Sequence, residues 1–259
     1  MIEFAPNIAH ITSWIHRECG EVFYLSPLVN MTVGTAVRGG VPICWPWFGS
    51  KEGAPSHGFA RTNKWNLIYQ SGAGEPLKYV FNLPRQVMKD ENYPEGFLLE
   101  FEVEERDGLT MKLTCYNNSK ESIEITQALH SYFKIGHIKD IVIEGLDGMT
   151  YFDKVSHSES TQVGKLKIDG EVDRIYLTDR DTILIDPILK RKLIISKSGS
   201  KSTVIWNPGQ KKSASISDLP DADYQYFCCV ESANTHLDPV VLNPGDSHTL
   251  MQSIQIEQL

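Results

Sequence analysis

The chain has 259 residues, 41% of them hydrophobic and 22% charged, with 25 Lys and Arg against 33 Asp and Glu for a net charge of −8. That length fits one large domain or two small ones. The acidic balance speaks against nucleic acid as a partner, and no apolar run approaches the roughly 20 residues a membrane helix needs. The opening MIEFAPNIAH lacks the basic and apolar regions of a secretory signal. Five scattered cysteines, with Cys228 and Cys229 pointing to opposite faces of an apparent strand, suit a reduced, cytoplasmic protein.

A first strand is predicted over 21–28. The segment from Arg38 to Trp65, RGGVPICWPWFGSKEGAPSHGFARTNKW, then breaks all periodicity. Gly-, Pro- and Trp-rich chain of this kind suits a walled pocket better than a core element. Arg38 precedes Gly39-Gly40, where missing side chains could admit a ligand to the backbone, and Arg61 closes the segment. Two converging guanidiniums are a usual answer to phosphate or carboxylate. The plainer reading has both arginines capping loops or pairing with surface carboxylates.

Strands over 65–70 and 79–83 lead into the clearest pattern. Phe97, Leu99, Phe101 and Val103 alternate with Leu98, Glu100, Glu102 and Glu104, Asp107-Gly108 signals a hairpin, and Leu109, Met111, Leu113 and Cys115 resume the alternation. Ile123, Ile125 and Leu129 continue it. Further short strands are predicted over 140–144, 172–177, 182–185, 192–196, 202–206, 226–231 and 249–256. Turn signals such as Asp147-Gly148, Asp169-Gly170 and Asn243-Pro244-Gly245 punctuate them. Residues 213–223 could hold a short helix. Lys190-Arg191-Lys192 reads as a solvated turn. No repeat or linker divides the chain, so an all-β, antiparallel sandwich in one domain, residues 1–259, is expected.

His130 ends the strand through Leu129 on its more polar face, where an imidazole can act as acid or base. Glu231 closes a run, Tyr226 to Val230, that is apolar on both faces; a carboxylate there must be paired, serve a site or emerge into solvent. Asp173, in Val172-Asp173-Arg174-Ile175-Tyr176, could accept sugar hydroxyls or pair with its neighbour Arg174. Trp45, Trp47, Phe48 and Trp206 could face the C–H side of a pyranose. The eight histidines show no paired ligand spacing and there is no Cys-x-x-Cys, so no metal is expected. Proton transfer and anion binding are the chemistry left.

The motifs RGGVPICWPWFG (38–49), SHGFAR (56–61), ALHSYFKIG (128–136), IEGLDGMTYFDK (143–154), VDRIY (172–176), VIWNP (204–208) and CVESAN (229–234) together resemble the hexose-6-phosphate mutarotase (glucose-6-phosphate 1-epimerase) branch of the aldose 1-epimerase family. The resemblance implies a large galactose mutarotase-like β-sandwich with few short helices. It implies a cofactor-independent isomerase exchanging the α and β anomers of a sugar phosphate; a monomer is expected because no patch in the sequence compels self-association. His130 and Glu231 would be the catalytic pair, with Glu231 ionised and His130 as imidazolium. Arg38, Ser56, His57, Arg61 and Asp173 would contact the substrate. Ser56 stands where a longer polar residue is expected and Gly209 where an aromatic is common, so one pocket wall should be thinner. The rival readings are an aldose 1-epimerase acting on unphosphorylated hexoses and a non-catalytic carbohydrate-binding module.

Overall fold

The period-two runs become the paired strands of two antiparallel sheets. The computed structural model describes residues 1–84 and 96–259. In Phe97–Glu105, Phe97, Leu99, Phe101 and Val103 are buried, and Leu109, Met111, Leu113 and Cys115 of Leu109–Asn117 join them on the same face. The two strands pair from Phe97 opposite Asn117 to Glu105 opposite Leu109. Alternation therefore reports one covered and one wet face.

This eight-stranded sheet runs in the order Val142–Glu144, Thr182–Asp186, Arg191–Ser198, Ser247–Gln258, Leu109–Asn117, Phe97–Glu105, Leu77–Leu83 and Asn66–Gln70. The facing sheet runs Ser158–Thr161, Thr150–Asp153, Val172–Leu177, Ser202–Asn207, Phe227–Asn234, Gln127–Leu129 and Ile43–Cys44, with Tyr132–Lys134 also paired to Phe227–Asn234. Leu99, Phe101 and Leu113 of the first and Ile43, Leu129, Ile205 and Val230 of the second belong to one apolar cluster. Two sheets closing on a shared core is a β-sandwich.

All eight side chains of the central strand Phe227–Asn234 are buried. Its even-numbered members Cys228 and Val230 enter the inter-sheet core, while Phe227 and Cys229 pack on the outer face with Tyr24, Tyr132 and Trp206. Glu231 does not close this strand, as the sequence suggests; three further residues continue it, and the carboxylate is 1% exposed. Emergence into solvent is thereby excluded.

Two more expectations are corrected. Arg191 is no solvated turn residue: it is fully buried, and its guanidinium donates to the carbonyls of Cys19, Glu21 and Lys134. Only Lys190, with φ 53°, belongs to the turn. The short helix lies at Gly209–Ser213, ahead of the predicted 213–223, and a single 3₁₀ turn follows at Asp223–Tyr226. Gly209 itself adopts φ 61°, and a Cβ there would meet Glu171 N at 2.7 Å, so no aromatic fits this backbone.

Candidate active site

The strand carrying His130 is interrupted where that residue falls. Gln127–Leu129 pairs with the central strand as far as Leu129 opposite Ser232, and Tyr132–Lys134 resumes with Tyr132 opposite Cys229. The register is the same on both sides of the gap, so His130 stands opposite Glu231. Cross-strand partners have Cβ atoms about 5 Å apart on one face, and here His130 Nε2 lies 3.4 Å from Glu231 Oε1.

The gap is filled from elsewhere. His130 N donates to Pro42 O at 3.0 Å and Tyr132 N to Gly40 O at 2.9 Å, so the Arg-Gly-Gly-Val-Pro segment runs beside it. Gly39 and Gly40 are needed for the protein's own backbone rather than for a ligand's approach. A Cβ on Gly39 would lie 2.4 Å from Tyr24 O, and one on Gly40 2.0 Å from Ile11 O. From below, across the core, buried Gln252 accepts from Ser131 Oγ and donates to Val230 O and Ser232 Oγ. The residues next to both members of the pair are thus tied to one side chain of the opposite sheet.

A cavity of about 340 Å³ opens over the pair. Its wall includes Arg38, Ser56, His57, Asp173, His130 and Glu231, which brings six of the seven expected site residues together. Arg61 is not among the described lining residues. Its Nη2 donates to Ser56 O at 2.7 Å and its Nε is buried without a hydrogen-bond partner among the described residues. The two guanidiniums therefore do not stand side by side on the wall. Of the aromatics, Phe48 and Trp206 line the cavity, while Trp45 and Trp47 pack against Phe59 in the core. Small side chains beneath (Cys44, Ala128, Val204 and Ala233) form one cluster on this face and leave it hollow.

Sequence reasoning missed three polar residues here: Lys154, Lys212 and Asp218. Lys154 lies just beyond the strand Thr150–Asp153 and clamps Asp173 through both oxygens, at 3.0 and 2.9 Å. Arg174 turns instead to Asp153, at 3.1 Å, so the adjacent Asp173–Arg174 pairing does not form. Lys212, on the short helix, reaches Glu171 at 2.7 Å and also faces the cavity. Asp218 holds Arg38 Nε at 3.1 Å, while Arg38 Nη1 donates to Tyr132 OH at 3.0 Å. Only Lys154, inside the motif IEGLDGMTYFDK, carried a signal that could have marked it.

Burial sets the protonation of the site. It pushes the Glu231 carboxyl well above the ordinary range, with the Asp173 charge adding to it and Lys154 opposing. Burial pushes His130 well below its ordinary value, helped by His57, Arg61 and Arg38. Both directions favour uncharged groups. An uncharged pair, a carboxylic acid beside a neutral imidazole, holds the same single proton as a carboxylate beside an imidazolium. Burial also drives His57 down to about 3. Its Nδ1 accepts from Gly49 N at 3.2 Å, which leaves the ring proton on Nε2.

A buried imidazole and carboxyl at the floor of a cation-lined cavity, on the outer face of one sheet of the sandwich, are groups of the kind that move protons on a polar small molecule. The chain belongs to the aldose 1-epimerase family, which it matches over residues 9–255. An Escherichia coli (strain K12) protein carrying the provisional name glucose-6-phosphate 1-epimerase is 33% identical over 258 residues, covering 98% of this chain and 86% of its own length. A crystal structure of a Salmonella typhimurium protein, YeaD, described provisionally as a mutarotase, superposes with a TM-score of 0.92 at 32% identity, covering 100% of this chain and 87% of that one. A galactose mutarotase-like protein from Lactobacillus casei, at 17% identity and a TM-score of 0.72 over 99% of this chain and 96% of that one, shares the fold. The architecture is the galactose mutarotase-like sandwich.

Proposed function

We propose that the chain, folded as a single domain, interconverts the α and β anomers of an aldohexose 6-phosphate, glucose 6-phosphate first among them, by acid–base ring opening and closure. The observation that carries this reading is the 3.4 Å contact between His130 Nε2 and Glu231 Oε1 at the base of a cavity that also presents Arg38, Lys154 and Lys212. The name of its E. coli relative supports the choice of sugar.

Ring opening removes a proton from the C1 hydroxyl and delivers one to the ring oxygen. Glu231, as carboxylate, takes the first, and His130, as imidazolium, gives the second. The pair reaches that charged tautomer when its single proton crosses from Glu231 to His130, a transfer that hydrogen bonds from the sugar hydroxyls to the charged forms would ease. Rotation about C1–C2 and the reverse transfers then close the ring on the other carbonyl face. Each positioned acid or base contributes on the order of 10²–10⁴ in rate. The scheme calls on no cofactor.

Arg38 would anchor the 6-phosphate, fixing the sugar while C1 turns over. Lys154 is clamped by both oxygens of Asp173, whereas Lys212 meets a single oxygen of Glu171 and has a side chain 43% exposed, so Lys212 is the better second cation on the wall. Arg61 would add to the positive field and hold the Ser56–His57 turn, and Asp173, Ser56 and His57 would meet the hydroxyls. The partner is then a small sugar phosphate met by a monomer in the cytoplasm, a placement the five unbridged cysteines support.

Magnetisation-exchange NMR on glucose, galactose and mannose 6-phosphates beside their free sugars tests the reading. Faster exchange of the phosphosugars, lost in Glu231→Gln and His130→Ala with modest loss of binding, is expected. Equal turnover of free hexoses, indifferent to Arg38→Ala, would favour the free-sugar epimerase. Saturable binding without faster exchange would favour a binding module.

A further inference from the structure

Beneath the cavity floor a third group completes a donor set with the catalytic pair. The ligand atoms of His130, Cys229 and Glu231 all lie within 4.8 Å of one another, and all three residues are buried. The spacing follows from the sheet. Cys229 and Glu231 are two residues apart on the central strand and so share its outer face, while His130 is brought opposite by the register.

The donor types suit one class of ion. A thiol, an imidazole and a carboxylate together select a borderline-soft divalent cation over magnesium or calcium. Two donors each about 2.0–2.1 Å from a tetrahedral zinc sit about 3.4 Å apart, and His130 Nε2 and Glu231 Oε1 are 3.4 Å apart. Glu231 Oε2 is buried and lacks any hydrogen-bond partner among the described residues, so acceptor capacity is left over at this point.

We propose that His130, Cys229 and Glu231 form a three-ligand site for a thiophilic divalent cation such as Zn²⁺, its fourth position open to the cavity, and that occupancy switches the acid–base pair off. Binding displaces the Cys229 thiol proton, and the one shared by the pair, to solvent. The metal then occupies the imidazole lone pair and the carboxylate that would handle the sugar's protons. His130 Nδ1 makes no hydrogen bond to another residue among the described ones, and a ligand histidine without such support binds about 10–100-fold more weakly. The site is therefore inhibitory and reversible.

The metal-binding arm stands without the activity proposed above; only the inhibition arm rests on it. Titrating the metal-free chain with Cd²⁺ and recording the ultraviolet thiolate-to-cadmium charge-transfer band should give one equivalent, displaced by Zn²⁺ and unaffected by Mg²⁺. Cys229→Ser should abolish the band, Cys44→Ser should keep it, and Cys229→Ala serves where the serine fails to fold. On hexose 6-phosphate, micromolar Zn²⁺ should inhibit anomer exchange and a chelator restore it. Cys229→Ser should exchange normally without metal and need about tenfold more Zn²⁺ or greater for inhibition. A missing one-equivalent band, or a band or inhibition unchanged in both Cys229 variants, overturns the proposal. A band without measurable exchange in metal-free protein leaves the metal site standing and sinks the anomerase reading instead.

Discussion

Lys154 Nζ grips both carboxylate oxygens of Asp173, at 3.0 and 2.9 Å, and so neutralises the charge that bears on Glu231. Asp173 raises the Glu231 carboxyl and Lys154 lowers it, so the clamp tunes the base from one remove. Lys154→Met should leave Asp173 unmasked, tighten Glu231's hold on its proton and slow anomer exchange by about tenfold, the worth of one pKa unit. Exchange rates measured against pH should show the alkaline limb displaced upward. An unmoved limb would dissociate Lys154 from the base.

In the proposed ring opening the pair works while it carries one proton. At low pH a second proton reaches His130, whose value is depressed, so the acid limb should fall below pH 6.5. At high pH the shared proton leaves from a carboxyl held well above 4.5, so the alkaline limb should lie far above an ordinary glutamate's. The expected kcat/KM profile is a broad bell whose limbs belong to the couple rather than to either residue alone. Glu231→Gln should flatten it as activity vanishes.

Gln252 lends three hydrogen bonds to Ser131, Val230 and Ser232 from the far side of the core. Gln252→Leu would strand those buried groups, at about 1–3 kcal/mol each before relaxation. Thermal unfolding should shift downward, and kcat per folded molecule should drop with little change in KM. Lost stability at unchanged kcat would reduce Gln252 to a purely structural tie.

His10 offers a test of stability. It is 1% exposed, its Nε2 bonds Gly39 O at 2.8 Å, and burial drives it down to about 4. The unfolded imidazole takes its proton near pH 6.5 while the folded one resists. Its contribution is therefore complete above pH 6.5 and is lost as pH falls toward 4, on the order of 3 kcal/mol in all. Urea midpoints across that window should fall less steeply in His10→Gln than in the parent.

How much of this could be read from the chain depended on how local each signal was. Alternation marked Phe97–Val103 and Leu109–Cys115 because each residue's face depends only on its own strand. The motifs around Arg38, His57, His130, Asp173 and Glu231 named residues that do share a cavity. Arg191 was misread because its three carbonyl partners come from residues 19, 21 and 134, and no window around position 191 contains them. Gly39-Gly40 looked like an opening for a ligand, but the close neighbours are Tyr24 and Ile11. Arg61 looked like half of an anion clamp because sequence reports its charge and not that Ser56 O already engages it. The pairing of residue 130 with residue 231 is a fact of register between distant strands, which neither motif encodes.

That register has a bearing on how such an enzyme can diverge. The distance between its two reacting groups is inherited from main-chain spacing, not from loop composition. Mutations on the cavity wall, such as one leaving Ser56, can retailor which sugar is admitted without disturbing proton transfer. A one-residue insertion within 227–231 would have the opposite result, turning Glu231 into the oily interior and extinguishing the chemistry while the cavity kept its shape.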